Sequence, residues 1–382
     1  MARRYNRRMR DPLLGGLTPG AFLRRHWQKR PLLVRGALPG FRGVVGRQEL
    51  FGLAGRADAE ARLVARRRTR AGERWSVTHG PLGRAALPRR PRDWTLLVNG
   101  VNLFVPAAER LLRRFEFLPQ ARLDDVMVSY AVPGGGVGPH VDSYDVFLVQ
   151  GAGRRRWQVS RPRRYAMVEG APLRLIDGFR PEAEWVLEPG DLLYLPPGWG
   201  HDGVAIDACF TCSVGFRAPG GAELAAAFLD DLHERGLPEG RYADPRLRPA
   251  RRPAQINDEL LAFATRQIRR IRWSRADVAD SLGRYLTTPK PHVVFPHPRR
   301  GPVPELRRAH VRLDARTQLL YRGTRFYLNG EAFTPDARQR TALASLADRR
   351  AAAGAVLARA GLAPQVEEWR AAGYLHLEEI AR

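Results

Sequence analysis

Cysteine is scarce in this 382-residue sequence, which contains only Cys209 and Cys212, spaced as a single C-x-x-C. A zinc ribbon needs a second such pair, and the sequence does not supply one. The surrounding residues, AIDACFTCSVGF, predict a strand, on which positions three apart point to opposite faces. We therefore expect both thiols to be reduced and buried as small apolar residues, as is usual in a cytoplasmic protein.

Long apolar runs are also missing. No stretch approaches the 18 or so consecutive apolar residues of a membrane-spanning helix. The first residues, MARRYNRRMRDPLLGG, are basic but lack the apolar core of a secretory signal. These absences predict a soluble cytoplasmic protein with no membrane partner.

Lysine is nearly absent from a strongly basic chain. The formal net charge is +25, yet Lys29 and Lys290 are the only lysines among 64 basic residues. Genomic base composition explains such an arginine bias as well as function does. The field of a basic protein favours polyanions, so proximity to RNA or the ribosome and a basic surface without a binding role both remain open.

One segment, PGGGVGPHVDSYDVFLVQGAGRRRWQV from Pro133 to Val159, carries the first chemical signal. In an extended segment, His140 and Asp142 point to the same face, so an imidazole and a carboxylate converge. Further on, GDLLYLPPGWGH presents His201 after a turn shaped by proline and glycine, 61 positions beyond His140. Two histidines and one carboxylate form the facial triad of non-haem Fe(II) oxygenases. We predict His140, Asp142 and His201 as metal ligands.

These two motifs resemble those of the cupin, or double-stranded β-helix, proteins and more narrowly of the JmjC oxygenases. The resemblance implies an α+β protein with a JmjC jelly roll. We expect a catalytic domain over residues 1–218, a helical region over 219–288 and a winged-helix domain over 289–382. The winged helix is equally consistent with nucleic-acid binding and with protein docking. Within the first part, Gln48 to Ala65 predicts a helix, whereas Trp94 to Val98 and Leu123 to Val132 predict strands.

Strand alternation separates the members of the run Arg154 to Arg156. Arg155 shares a face with Trp157 and Val159, and no acidic residue is nearby in sequence. A guanidinium on an apolar face is costly unless it is paired, and arginine binds carboxylates with a bidentate fork. We predict that Arg155 holds the distal carboxylate of 2-oxoglutarate, together with Ser129.

The segments LGGLTPGAFLRRHWQKRPLLVRGALPGF, LDDVMVSYAVPGGGVGPHVDSYDVFLVQGAGRRRW and PPGWGHDGVA extend the resemblance over most of the chain. Together they resemble the bacterial JmjC ribosomal oxygenases, specifically those that hydroxylate an arginine of large-subunit ribosomal protein sixteen. The resemblance implies Fe(II), 2-oxoglutarate and O2 as cofactors and a homodimer formed through the helical region. It also implies a substrate pocket, which matches Asp125, Met127, Tyr144 and Ser213.

We therefore predict a 2-oxoglutarate-dependent peptidyl-arginine hydroxylase acting on a ribosomal protein of the large subunit. A histidyl hydroxylase or a lysine demethylase would retain the chemistry and change the target. A non-catalytic cupin that binds RNA or the ribosome is a rival from another class. A zinc or manganese sugar isomerase is disfavoured, because such cupins usually need further His or Glu ligands, which are absent around His140.

Overall fold

The computed structural model describes residues 12–70, 72–297 and 303–379. Their α-helices are, in chain order, α1 (Pro19–Arg25), α2 (Arg47–Ala54), α3 (Pro106–Arg113), α4 (Gly221–Glu234), α5 (Asp258–Arg270), α6 (Arg275–Thr287), α7 (Ala337–Arg349), α8 (Gly354–Arg359) and α9 (Ala363–Ala371). Their β-strands are β1 (Leu32–Val34), β2 (Ala61–Thr69), β3 (Gly72–His79), β4 (Trp94–Val98), β5 (Leu123–Ala131), β6 (His140–Val141), β7 (Val146–Ala152), β8 (Arg155–Ser160), β9 (Ala183–Leu187), β10 (Leu192–Leu195), β11 (Gly200–Ala205), β12 (Cys209–Phe216), β13 (Ala309–Leu313), β14 (Leu319–Arg322), β15 (Arg325–Leu328), β16 (Glu331–Phe333), β17 (Ala351–Ala353) and β18 (Leu375–Glu379).

These elements form two compact units that are discontinuous in sequence. The larger unit contains the residues up to Ala218, Lys290–Thr317 and the residues from Asp348 onward. The smaller unit contains Pro219–Pro289 and Gln318–Ala347, so it takes residues from two of the three predicted domains. The domain boundaries after residues 218 and 288 stay predictions.

Besides the small β17-β13-β18 sheet, the larger unit contains two antiparallel sheets that form the jelly roll. Among the described strands, one sheet has the order β1-β10-β7-β12-β5-β4-β2-β3 and the other has the order β6-β11-β8-β9. Strands that are distant in sequence, such as β7 and β12, are neighbours, as the connections of a jelly roll require. The predicted fold class, an α+β protein with a double-stranded β-helix, is confirmed.

Strand alternation explains how the central strand β7 of the larger sheet is buried on both faces. On β7, Phe147 and Val149 belong to a cluster that includes Phe22 of α1. Leu148, between them, belongs to a second cluster, together with Trp157 of β8. Because successive side chains of a strand point to opposite faces, β7 packs against helices on one side and against the smaller sheet on the other. The cavity described below lies between the two sheets.

The predicted helix from Gln48 to Ala65 is wrong beyond its first half. The helix α2 ends at Ala54, before Gly55, and Ala61 begins the strand β2. Residues 61–65 read as helix from their Ala, Leu and Arg content, but β2 pairs with both β3 and β4. Pairing on both sides overrides a weak local propensity. The predicted strand from Trp94 to Val98 is confirmed, and β5 confirms the strand from Leu123 within one residue.

The remaining described elements are divided between the two units. In the larger unit, β13 lies between β17 and β18. In the smaller unit, β15 lies between β14 and β16, and the Tyr327 ring leaves no room for a Cβ at Gly283 of α6. Cys209 and Cys212 are buried and unbonded, as expected. Among the helices described above, none has the length and apolar character needed to cross a membrane.

Candidate active site

A cavity of about 500 Å³ opens between the eight-stranded and the four-stranded sheet of the larger unit. It brings together all nine of the side chains predicted from sequence to bind metal, cosubstrate or substrate. These residues are Asp125, Met127, Ser129, His140, Asp142, Tyr144, Arg155, His201 and Ser213. Their individual roles stay predictions, but the fold places them around one space.

The histidines of the predicted triad meet because β6 pairs with β11. His140 lies directly opposite His201 in this ladder, and Asp142 follows β6 by one residue. One potential ligand atom from each of the three side chains lies within 4.8 Å of the others. The Nε2 of His201 is 3.6 Å from Oδ2 of Asp142. This spacing suits a single ion held by two imidazoles and one carboxylate.

Backbone contacts fix both imidazoles in the form that can bind a metal. The Nδ1 of His140 lies 2.9 Å from the Gly138 carbonyl oxygen, and the Nδ1 of His201 lies 3.0 Å from that of Trp199. A carbonyl only accepts, so each Nδ1 carries the proton and each Nε2 keeps its lone pair. Burial, and secondarily the His140 ring, lowers the pKa of His201 to about 4. The ring is therefore neutral at physiological pH, as metal binding requires.

Glycines allow the strands around the triad to approach closely. A Cβ on Gly203 would lie 2.6 Å from the Trp157 ring, and one on Gly136 would lie 2.6 Å from the Gly203 carbonyl oxygen. Gly198 has a positive φ of 79° in the turn before β11, and its N–H donates to the Asp142 carbonyl oxygen at 2.9 Å. The glycine-rich sequences around both motifs are thus required by packing and turn geometry.

Arg155 is a buried cation whose guanidinium is only partly satisfied. It is 5% exposed, and its Nη1 donates to the Ser129 hydroxyl at 3.2 Å. Within the described residues, its Nε and Nη2 have no hydrogen-bond partner. Arg156, next along β8, is exposed, so the predicted alternation is confirmed. A buried guanidinium that faces a cavity with two unsatisfied nitrogens suits an anionic group of a bound ligand, such as a carboxylate.

Thr95 is a cavity residue that the sequence reasoning missed. It is 1% exposed, and in the part of the chain that the structure describes its hydroxyl has no partner. On β4 it lies two positions before Leu97, which pairs with Ser129 of β5. The same face of the sheet thus supplies two hydroxyls to the cavity that also contains Arg155. No motif marks Thr95. Only the pairing of β4 with β5, which places Thr95 on the same face of the sheet as Ser129, could have indicated that it points into the cavity.

Acidic side chains lie at a different part of the cavity wall. The Oδ2 of Asp125 accepts a hydrogen bond from the Gly100 N–H at 2.7 Å. Burial, and secondarily the charge of Asp124, raises the pKa of Asp125 to about 6, against the opposing effect of Lys290. Lys290 lines the cavity too, and the sequence reasoning missed it because it lies 165 positions from Asp125.

The other predicted substrate residues complete this part of the wall. Met127 lies on β5 opposite Ser213 of β12, and both face the cavity. Tyr144 is 40% exposed and lines the same space. The cavity therefore combines a triad, an unsatisfied cation and an acidic wall.

Comparison with known proteins agrees with this arrangement. A family model for the JmjC domain matches residues 110–224, and a model for the ROXA-like winged helix matches residues 270–376. The matches define a JmjC-domain protein with a winged helix. Ribosomal protein uL16 3-hydroxylase of Escherichia coli is 41% identical over 244 residues, which cover 62% of this chain and 62% of that protein.

Solved structures extend the similarity to nearly the full length. The X-ray structure of E. coli YcfD is 32% identical, with a TM-score of 0.80 over 95% of this chain and 98% of that chain. A structure of YcfD, a ribosomal oxygenase, in complex with cobalt and 2-oxoglutarate has a TM-score of 0.77 at the same identity and coverage. This chain belongs to the JmjC-domain ribosomal oxygenases.

Proposed function

We propose that this protein is an Fe(II)- and 2-oxoglutarate-dependent hydroxylase that acts on an arginine side chain of a large-subunit ribosomal protein. The observation that carries the proposal is the coexistence, in one cavity, of the His140–Asp142–His201 triad and the unsatisfied guanidinium of Arg155. A metal site alone would fit many cupins. The buried cation adds a requirement for an anionic cosubstrate.

In this proposal each cofactor has its own set of residues. His140, Asp142 and His201 would hold Fe(II), and the remaining positions on the metal would admit 2-oxoglutarate and O2. Arg155, with the hydroxyls of Ser129 and Thr95, would hold the distal carboxylate. When bound, Fe(II) and 2-oxoglutarate use O2 to convert a substrate C–H into C–OH, while 2-oxoglutarate becomes succinate and CO2.

The residues of the chain contribute binding and orientation. The backbone carbonyls behind His140 and His201 hold each Nε2 toward the metal position. Asp125, Tyr144, Met127 and Ser213 would position the substrate arginine, with the carboxylate as the charged partner of its guanidinium. Holding the target carbon in place makes a bimolecular step effectively unimolecular, which lowers its barrier.

Support for the substrate comes from both the relatives and the acidic wall. The E. coli relative is named for hydroxylation of ribosomal protein uL16, and Asp125 offers a carboxylate where a cationic side chain could enter. A ribosomal substrate also favours a cytoplasmic location. The basic net charge of +25 is compatible with a protein that works near ribosomal RNA.

Mass spectrometry of large-subunit ribosomal proteins tests the proposed function. Incubation with the purified protein, Fe(II), 2-oxoglutarate and O2 should add one oxygen atom to one arginine-containing peptide. Omission of 2-oxoglutarate is the control. An added oxygen on histidine instead, or loss of a methyl group from lysine, would assign the same chemistry to a different target, and no modification would contradict the proposal.

Asp125 predicts a pH dependence of substrate binding. Its carboxyl has a pKa raised to about 6, so it is ionised above that pH and neutral below it. An arginine peptide should bind about tenfold more weakly for each pH unit below 6, because the charge-assisted hydrogen bond requires the carboxylate. Asp125→Asn should weaken binding at pH 8 by about 10- to 100-fold and flatten the pH profile.

Calorimetric titration across pH 5–8 measures this effect. Binding of 2-oxoglutarate in the same buffers separates protonation of Asp125 from protonation of the metal ligands. A citrulline peptide, neutral but of similar shape, is the matched ligand control. An arginine-peptide profile that is unchanged in Asp125→Asn would remove Asp125 from the substrate site.

A homodimer is the proposed assembly. The helices α4 and α5 and the following segment expose large apolar side chains, including Leu229 (63%), Leu261 (60%), Ile268 (68%) and Trp273 (62%). Exposed apolar patches commonly mark protein interfaces. Light scattering tests the proposal, since the expected mass is twice the 42.9 kDa of one chain, and a monomer at micromolar concentration would contradict it.

A further inference from the structure

The acidic wall of the cavity already contains a cation from the chain itself. The Nζ of Lys290 lies 2.9 Å from Oδ1 of Asp124. Asp124 precedes Asp125 on β5, and all three residues line the cavity. The charge of Lys290 also reaches Asp125, since it opposes the rise in the pKa of that carboxyl. The position that a substrate guanidinium would use is therefore close to an internal ammonium.

Neighbouring charges keep Lys290 protonated. Partial burial by itself lowers its pKa, but the charges of Asp124 and Asp125 give a net rise, against a smaller opposing effect of Arg217. The Nε of Arg217 lies 3.5 Å from the same Oδ1 of Asp124. Arg217 thus remains a partner of Asp124 when Lys290 is absent, so removal of the ammonium does not leave that carboxylate alone.

The choice of lysine at this position is informative. Only Lys29 and Lys290 are lysines in a chain with 64 basic residues. A guanidinium binds carboxylate with a rigid fork, whereas an ammonium is a point charge on a flexible stem. The Lys290 side chain is 43% exposed, so its amino group can exchange its carboxylate contact for water. Such a cation is readily displaced, and an arginine at the same position would not be.

We propose that Lys290 is the resident counter-ion of the Asp124–Asp125 pair and that a cationic substrate side chain must displace its ammonium to enter the cavity. Lys290 then sets the affinity of the site for guanidinium groups. The identity of the natural substrate rests on the proposed function, but the displacement depends only on the charges described here.

Affinity measurements on two variants of Lys290 test the competition from opposite directions. Lys290→Met removes the competing charge and should tighten binding of an arginine peptide by about threefold to fivefold, the range expected for a partly exposed ion pair. Lys290→Arg supplies a competitor that is harder to displace and should weaken binding by a similar factor. The affinity for a citrulline peptide should be the same in both variants as in the wild type. Lys29→Met is the matched control, because the Lys29 amino group binds the carbonyls of Leu23 and Arg24 instead.

Side-chain NMR gives a readout that does not depend on enzymatic activity. With two lysines, the protein labelled at lysine Cε and Nζ should show two main signals, assigned with the Lys29→Met variant. Methylguanidinium chloride should move the Lys290 signal toward that of a free lysine and leave the Lys29 signal unchanged. Sodium chloride at equal ionic strength is the control for screening.

The outcomes separate this inference from the proposed function. An unmoved Lys290 signal, equal effects on the arginine and citrulline peptides, or weaker arginine binding by Lys290→Met would each overturn the displacement. If the signal moves while no ribosomal arginine gains oxygen, the proposed function fails and the counter-ion role of Lys290 stands.

Discussion

Replacement of His140 by alanine is expected to abolish metal-dependent hydroxylation, with less than about one thousandth of the activity remaining. The substitution removes one of three candidate metal ligands, whose potential ligand atoms lie within 4.8 Å of one another. Even partners that only orient a metal ligand change metal affinity by about 10- to 100-fold. We therefore expect loss of the imidazole itself to lower the metal affinity by at least about 100-fold. Competition with a chromogenic chelator measures metal affinity, and succinate formation with peptide substrate measures turnover.

A second histidine provides the control for this experiment. His310 is exposed on β13, and His310→Ala should leave metal affinity and activity unchanged. The metal-free His140→Ala protein should unfold close to the wild-type temperature, because His140 is only half-buried. Coupled turnover in His140→Ala at a wild-type rate would refute the triad.

Replacement of Arg155 by methionine should separate ligand binding from folding stability. The affinity for 2-oxoglutarate should fall by about 100-fold, since hydrogen bonds to charged groups contribute up to about 3 kcal/mol. The ligand-free protein should gain about 1–2 kcal/mol in its free energy of unfolding. The gain is expected because Arg155 is 5% exposed and two of its guanidinium nitrogens lack a hydrogen-bond partner among the described residues, and a buried charge that is only partly satisfied is costly.

Two measurements on the metal-substituted protein check this prediction. Calorimetry with Mn(II) gives the dissociation constant of 2-oxoglutarate, and urea unfolding without the ligand gives the stability. Arg156→Met, on the opposite face of β8, is the control and should change neither quantity, because Arg156 is exposed. Undiminished affinity for 2-oxoglutarate in Arg155→Met would assign the buried cation a structural role.

The sequence could predict the parts of the site that depend on local periodicity. The two-residue period of a strand places Arg155 inward and Arg156 outward, and the burial pattern of β8 follows it. Close strand packing and tight turns require glycines near His140 and His201, and these glycines lie within a few residues of the histidines in the sequence. Such features are readable because they depend on backbone geometry close to the residue concerned.

Local composition misled where pairing between distant segments decided the structure. Residues 61–65 have the composition of a helix, yet they are held as a strand between β3 and β4. The compact units are discontinuous for a similar reason, since β13, β17 and β18 fold with the larger unit whereas β14 to β16 fold with the smaller one. A single sequence contains no local signal for partners so far away.

By itself the sequence predicted the three candidate metal ligands, which the fold brings together, and it determined the inward direction of Arg155 and the jelly-roll class. The tertiary structure alone decided that Thr95 adds an unsatisfied hydroxyl to the cavity and that Lys290 lies against Asp124. Motifs encode the chemistry of a residue together with its near neighbours. The cavity instead depends on the order of the strands in the sheets and on long connections between elements, which bring together residues more than 100 positions apart, such as Asp124 and Lys290.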